Sequence, residues 1–392
     1  MKDPRYNKQD KLANVRICLF FTYEMSLQKW DELGIFDREI ILYNILVKRG
    51  IEVAFFTYGD RKDLDYGRQL PGIKIIPAYA NIKKSKNRKL AFLRSFLLPF
   101  KFRKILSSYD IFKTNQMWGA WVPLVAKLVT GRRLLVRCGY EHYYTLLSEK
   151  SPKLEKVIFY IFSKIAYFLS DHIIVTTKKI KDFIHSTFSI DRNKISIVPN
   201  IIDTEAFNLK NTPCLFKDRI VFIGRLNHQK NIFSLIGACK KAGVGLDLIG
   251  HGELREELEQ FTKIINANVN FLGVYRNNLL PGALAKYPIF ILPSFYEGNP
   301  KALIEAMSCG KAVIGTNVGG IVEIIKDGDN GILCGTSSND ICAGILRIKN
   351  NIELQKKVGL KARQYVLERY SIPVVTEKEL KVYHDTLSER QI

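Results

Sequence analysis

Several features that would place this chain in a membrane or outside the cell are missing. Its 7 cysteines, at 18, 138, 214, 239, 309, 334 and 342, include no C-x-x-C or other close pair. That argues against a zinc site or a disulfide framework and favours a reducing compartment. There is no run of about 18 apolar residues, so no membrane-spanning helix is expected. The opening stretch MKDPRYNKQDKLANVR is polar and lacks the apolar segment of a signal peptide. None of the 6 histidines has a second histidine four positions away, so no metal site is expected. No region is biased enough in composition to suggest disorder. These absences lead to the expectation of a cytoplasmic protein.

Acid is the scarcer charge, with 38 Asp+Glu against 60 Lys+Arg and a net charge of +22. The imbalance sits in the first half: residues 1–210 hold 37 basic and 20 acidic side chains, a net of +17. Its densest part, Lys83–Lys104 (KKSKNRKLAFLRSFLLPFKFRK), has nine basic residues and no acid, interleaved with Phe and Leu. Such a segment suits the inner face of an anionic membrane, and peripheral attachment there is expected. The competing readings are a surface helix with a solvated basic face and, well below both, nucleic acid.

The length of 392 residues and 47% hydrophobic content suggest two domains of about 200 residues each. In the first half, VRICLFF, IEVAFFTYG, IKIIPA (73–78), DIFKTN (110–115), RLLVRC (133–138) and HIIVTT (172–177) read as buried strands separated by helical stretches. Val157–Ser170 is apolar but too short to span a bilayer, and reads as a helix packed on a sheet. After the polar interval 200–218, the second half restarts with DRIVFIGRL. It continues through GVGLDLIG, NVNFLG, PIFILPS, AVIGT and GILC, again with helices between. The expected fold class is α/β with two doubly wound parallel sheets, whose ligands bind outside the carboxyl ends of the strands.

The most informative segment is Pro293–Cys309, PSFYEGNPKALIEAMSC. Glu297 lies in the loop after an apolar strand, and Glu305 lies eight positions on, in the second turn of a predicted helix. Asn299 is expected to cap that helix, with Pro300 in its first turn. Carboxylates accept from hydroxyls, and a helix N-terminus accepts phosphate, so a sugar nucleotide has matching groups. GRLNHQKN (224–231) adds Gly224 for close backbone approach, with Arg225 and Lys230 as two cations suited to a diphosphate. GHGELREEL (250–258) is a glycine-rich turn before a helix. In GTNVGGIVEII, Gly319 and Gly320 either admit a ligand closely or serve a loop needing positive φ. DGD (327–329) and DLD (63–65) invite a metal reading, but both fit turns or loops better. His142, just past RLLVRC, is the histidine placed where a ligand of the first domain would bind.

GRLxxxKN, IGHGEL, NFLG and EGNPKALIEAMSCGKAVIGTNVGGIVEIIKDGDNGIL together resemble the family 4 retaining glycosyltransferases of GT-B architecture, and PNIIDTEAF (199–207) resembles the family's domain-junction segment. The resemblance runs over about residues 172–370. It implies two Rossmann-like domains facing across a cleft: an acceptor domain at 1–205 plus 375–392 with a C-terminal crossover helix, and a nucleotide-sugar domain at 212–370. It further implies that Arg225 and Lys230 neutralise the diphosphate, Glu305 holds the ribose hydroxyls and Glu297 contacts the transferred sugar. Gly298, Asn299 and Lys301 would lie near the sugar and phosphates, and the backbone at Phe271–Val274, including Gly273, would border the base. No cofactor and no metal is implied; the donor would be a UDP- or GDP-sugar.

The first half departs from the family pattern. The Gly-Gly that often follows the first strand is replaced by FFTYEMSLQKWDELGIFDREI (20–40), and the frequent catalytic-loop histidine has no obvious counterpart. Arg137, Glu141 and His142 are the polar candidates on the acceptor side. The expected activity is a retaining, metal-independent, hexosyl-type glycosyltransferase acting on a glycan or lipid-linked acceptor in cell-surface polysaccharide synthesis. The alternatives are a sugar-nucleotide epimerase or phosphorylase of the same fold, or a non-catalytic protein that binds nucleotide sugars or anionic surfaces.

Overall fold

The computed structural model describes residues 14–148, 151–209 and 214–388. Most of the polar opening stretch read above for a signal segment therefore lies outside the described residues, as do 210–213 of the polar interval and 389–392 of the first proposed domain. The chain divides into two compact units, Met1–Val198 with Thr376–Ile392, and Pro199–Val375. The first division falls before PNIIDTEAF rather than after it. Ile202 forms a β-bridge with Ser371 and Phe207 is buried, which ties that segment into the second unit. The chain re-enters the first unit within the helix Ile372–Ser388.

The first unit is built on a seven-stranded parallel sheet. Its strands are β1 (Arg16–Phe20), β2 (Glu52–Thr57), β3 (Ile73–Pro77), β4 (Ile111–Thr114), β5 (Arg133–Cys138), β6 (His172–Val175) and β7 (Ile195–Ile197), in the spatial order 3-2-1-4-5-6-7. The second unit has β8 (Arg219–Ile223), β9 (Gly245–Ile249), β10 (Val269–Gly273), β11 (Ile289–Leu292), β12 (Ala312–Thr316) and β13 (Ile332–Cys334), in the order 10-9-8-11-12-13. Every strand pair is parallel. These are two doubly wound α/β sheets. The strands are short apolar runs because helices cover both of their faces, and β1, β9, β11 and β12 are buried along nearly their whole length.

In each sheet the strand order reverses once, between β1 and β4 and between β8 and β11. Loops leaving the carboxyl ends of those neighbours diverge to opposite faces and leave a crevice where ligands bind in this fold class. GRLNHQKN follows β8 and PSFYEGNP follows β11, so both motifs belong to one switch point.

Two expectations need correction. The helix that covers Val157–Ser170 runs from Lys153 to Leu169 and packs chiefly on the neighbouring helices Trp121–Thr130, His142–Ser148 and Lys178–Phe188, not on a sheet. DLD is not a plain loop either. It lies in a 3-10 helix, where the buried Asp63 carboxylate accepts from the N–H groups of Leu27 (3.1 Å) and Gln28 (3.3 Å) and from the Thr57 hydroxyl at 2.5 Å. Asp63 thereby caps the helix Leu27–Glu32 from a distance.

Candidate functional site

The site in the second unit is assembled by two loops that bind each other. After β8 the chain makes a single 3-10 turn, His228–Lys230, and then places Asn231 at φ 53°. Asparagine tolerates this left-handed geometry better than most residues. The Asn231 Nδ2 donates to the carbonyls of Pro293 (3.1 Å) and Thr336 (2.8 Å). Gln229 Nε2 donates to the Tyr296 carbonyl at 2.9 Å, and the Gln229 carbonyl accepts from Phe295 N–H at 2.9 Å. The His228 and Phe295 rings stack at 5.3 Å. This lacing fixes where the side chains between the two loops point.

It brings Lys230 and Glu297 together. The Lys230 ammonium pairs with Glu297 Oε1, which also accepts from the Ser294 hydroxyl at 2.6 Å. Their side chains are 13% and 7% exposed, so water screens the pair weakly. Glu297 Oε2 takes no hydrogen bond among the described residues. An ammonium has three donors, which leaves Lys230 able to contact a further anion. Arg225 is exposed and holds no ion pair among the described residues. Gly224 has little room for a side chain: a Cβ there would sit 2.9 Å from the Phe222 ring and 3.7 Å from Lys230 Cε.

The helix Lys301–Ser308 follows Glu297. Asn299 does not cap it, contrary to the sequence expectation. The N-cap is Pro300, with no side-chain cap bond, because the helix starts one residue later than expected. Asn299 is buried, and its Oδ1 and carbonyl accept from Asn200 N–H (3.0 Å) and Asn200 Nδ2 (2.7 Å). The segment 199–200 thus steadies the Glu297 loop from behind, and the first N–H groups of the helix keep no intrahelical partner. Gly298 is buried, and Lys301 opens the helix half-buried. Glu305, in the second turn, is only 3% exposed. Its Oε1 accepts from Asn277 Nδ2 at 3.2 Å, and Oε2 takes no hydrogen bond among the described residues. Gly273 closes β10 at φ +74°, and its carbonyl accepts from Gly250 N–H at 2.7 Å.

The glycine-rich turns have structural assignments. A Cβ at Gly250 would run into the Gly224 carbonyl, and one at Gly252 into the Leu226 backbone. GHGEL therefore packs backbone against backbone on the GRL loop. Gly320 is neither a positive-φ position nor an open ligand approach. Its N–H donates to the Glu297 carbonyl at 3.0 Å, and a Cβ there would strike the Gly298 carbonyl. DGD is a turn. Asp327 accepts from Leu333 N–H and from Arg347 Nη1, all at 2.9 Å, and Gly328 has φ +72°. Although burial opposes it, these hydrogen bonds hold the Asp327 carboxyl below its ordinary value.

The acceptor-side candidates lie in the first unit, around the loop after β5. Arg137 Nη1 is 3.8 Å from Glu379 Oε2. Glu379 also pairs with the fully buried Lys113, and Tyr383 completes the cluster with a hydroxyl that donates to Glu379 at 2.8 Å. Burial pushes the Glu379 carboxyl up, but Lys113 and Arg137 together outweigh it and hold it below its ordinary value. Glu141 is fully enclosed. It accepts from Tyr143 N–H (3.1 Å), the Ser163 hydroxyl (3.1 Å) and the Tyr167 hydroxyl, and burial raises its pKa. Its carboxylate is therefore directed into the packing of this unit rather than outward. His142 is exposed, with its ring 4.3 Å from that of Phe159.

Gln229, Asn231, Ser294, Asn277 and Asn200 were not identified from sequence as parts of the site. The Asn in GRLxxxKN, at a helix start, carried the one readable hint, because asparagine often adopts left-handed geometry.

The sequence model described as "Glycosyl transferases group 1" matches residues 214–365, and the one described as "Glycosyltransferase Family 4" matches 42–206. An uncharacterized glycosyltransferase of Methanocaldococcus jannaschii is 31% identical over 52% of this chain and 57% of its own length. A second is 26% identical over 93% of this chain and 92% of its own. The O-antigen biosynthesis glycosyltransferase WbnH of Escherichia coli is 29% identical over 70% and 79%. Matches to the first two curated relatives span 57% and 60% of those proteins' length. Among solved structures, a sucrose-phosphate synthase from Thermosynechococcus elongatus superposes with TM-score 0.82 at 18% identity, over 96% of this chain and all of that one. Anabaena HepE, in complex with UDP and glucose, gives TM-score 0.75 at 16% identity over 95% and 100%. These likenesses establish the GT-B fold. The chain belongs to the group 1 glycosyltransferases.

Proposed function

We propose that this protein is a retaining glycosyltransferase that moves a hexosyl group from a UDP- or GDP-sugar to a glycan or lipid-linked acceptor in cell-surface polysaccharide synthesis. One observation carries the reading: Lys230 paired with Glu297 at the switch point of the second sheet, beside a helix whose second turn presents Glu305. HepE, solved with UDP and glucose, and the O-antigen relative support the donor and pathway classes.

Glycosyl transfer builds positive charge at the anomeric carbon and negative charge on the departing diphosphate. Lys230, Arg225 and the N–H groups at the start of the helix Lys301–Ser308 stabilise that oxygen charge. Two protein cations, Lys230 held by Glu297 and the exposed Arg225, can serve the leaving group in place of a bound metal ion. Glu297 Oε2 contacts the transferred sugar, and Glu305 Oε2 accepts from the ribose diol, oriented by Asn277. Gly298, Asn299 and Lys301 border the sugar and phosphates, and Gly273 borders the base. Retention follows from same-face attack, in which the leaving phosphate takes the proton of the acceptor hydroxyl. In the first unit, Arg137 and His142 are the acceptor-side candidates. No cofactor takes part. The basic segment Lys83–Lys104 brings the protein to the inner face of an anionic membrane.

A panel of UDP- and GDP-sugars, read by release of nucleoside diphosphate, tests the reading. One donor should be turned over, and Glu297→Ala and Glu305→Ala should lose that turnover while keeping the melting temperature. Undiminished release in both variants would remove the site. Products separate transfer from the other chemistries of this fold, because only transfer yields a nucleoside diphosphate together with an extended acceptor.

A further inference from the structure

The helix Lys153–Leu169 is packed on one side only. Ser163, Ala166 and Tyr167 face inward, while Leu154, Ile158, Ile161, Ile165 and Phe168 are between 48% and 72% exposed. Spacings of 4, 3, 4 and 3 residues put these five side chains on a single stripe about 80° wide at 100° per residue, along roughly 21 Å of helix. A soluble surface helix places polar residues there. A continuous exposed apolar stripe of this size marks a docking surface.

Its surroundings identify the occupant. Beside the stripe, Phe162 and Phe159 meet Trp118 and Trp121 with centroids 5.7 to 6.3 Å apart, and Trp121 in turn meets Phe92 at 4.9 Å. Phe92 belongs to the helix Arg88–Ser95 inside the nine-cation segment Lys83–Lys104. One aromatic cluster of the first unit, running through the buried Trp121, thus joins the stripe's helix, the half-exposed Trp118 and the basic segment. Helices that lie in a membrane interface combine an apolar face with lysines and arginines at its flank, and tryptophan favours the headgroup level. A second copy of the chain would bring basic segment against basic segment, which is repulsive, whereas an anionic bilayer complements both features.

We propose that the helix Lys153–Leu169 docks on an anionic lipid surface, its stripe entering the interface while Lys83–Lys104 contacts the headgroups. This rests on the glycosyltransferase reading for its purpose only. His142 of the acceptor-side loop lies against Phe159 of the same helix, so docking would hold that loop next to a lipid-linked acceptor.

Flotation of the full chain, without any sugar donor, tests the surface independently of catalysis. Wild type should float with vesicles of phosphatidylcholine containing about one-third phosphatidylglycerol and should bind pure phosphatidylcholine weakly. Ile161→Glu combined with Ile165→Glu should lower the anionic-vesicle partition at least about tenfold. Both residues are exposed, so an unchanged melting temperature is expected. As a readout that needs no stripe variant, brominated lipid should quench wild-type tryptophan fluorescence, and Trp118→Phe should remove most of that quenching. Equal flotation of wild type and double variant overturns the proposal, as does absence of wild-type binding or of quenching. A wild-type dimer that the double variant converts to monomer also overturns it, because a second copy would then own the stripe.

Discussion

The two sheets share one topology, yet their switch points have opposite chemistry. Between β8 and β11 the loops hold a charged pair, Lys230 and Glu297, with a helix N-terminus beside it. Between β1 and β4 the loops are closed by aromatic packing. Tyr23 N–H donates to the Trp118 carbonyl at 3.2 Å, and the Tyr23 ring meets those of Tyr58 and Trp121 at 5.1 and 5.0 Å. Gly119, at φ +104°, leaves no room for a Cβ against Tyr23 N. The first unit has a buried ion pair as well, Lys113 with Glu379, but it joins the sheet to the re-entering C-terminal helix. One fold thus uses the same kind of pair for two purposes: a weakly exposed one with vacant donors beside a crevice, and a fully enclosed one that fixes a helix.

That contrast can be broken from either side. Lys113→Met leaves Glu379 buried without its main counter-charge, so a loss of about 3–5 kcal/mol is expected in a denaturant melt. Lys230→Met leaves Glu297 its Ser294 hydroxyl bond beside the crevice, so it should cost clearly less stability than Lys113→Met while lowering donor turnover about 10²–10³-fold. If Lys113→Met spared stability, or Lys230→Met melted the protein, the division of roles would fail. Gly320→Ala forces a methyl against the Gly298 carbonyl and shifts the Glu297 loop, so kcat should fall about a hundredfold. A milder effect is expected for Asn277→Leu. Losing a hydrogen bond to the Glu305 carboxylate is worth about 1.5–3 kcal/mol, seen as a higher donor KM and weaker discrimination between ribose and deoxyribose nucleotides. Smallest is a pH effect. The folded pKa of Glu379 is depressed, so its stabilisation is complete above the ordinary glutamate range and disappears as pH falls through the lower folded value. The melting-temperature gap between wild type and Glu379→Gln should therefore close as the pH drops below about 4.

Much of the fold was legible because buried parallel strands are short apolar runs. β7 escaped notice because Ile195–Ile197 is three residues long and lies at the sheet edge. The grouping of Glu297 and Glu305 was legible because one loop and the adjoining helix carry them within eight positions. What held them in place was not legible. Asn277 reaches Glu305 across 28 residues, Asn200 reaches Asn299 across 99, and Lys113 reaches Glu379 across 266. No periodicity encodes such pairings. The Asn299 cap was misjudged because a good capping residue can be drawn to a tertiary partner instead, here Asn200. The exposed stripe on Lys153–Leu169 was not legible, because composition reads an apolar helix as packed on a sheet and does not reveal which of its faces find neighbours.

The central claim is that Glu297 and Glu305 divide the donor between them, and binding of free UDP and GDP to wild type, Glu297→Ala and Glu305→Ala by calorimetry tests it most directly. Glu305→Ala should weaken binding of the preferred nucleotide. Glu297→Ala should bind it as tightly as wild type or more so, since Lys230 is released to the diphosphate. Loss of nucleotide affinity in Glu297→Ala with none in Glu305→Ala would contradict the account.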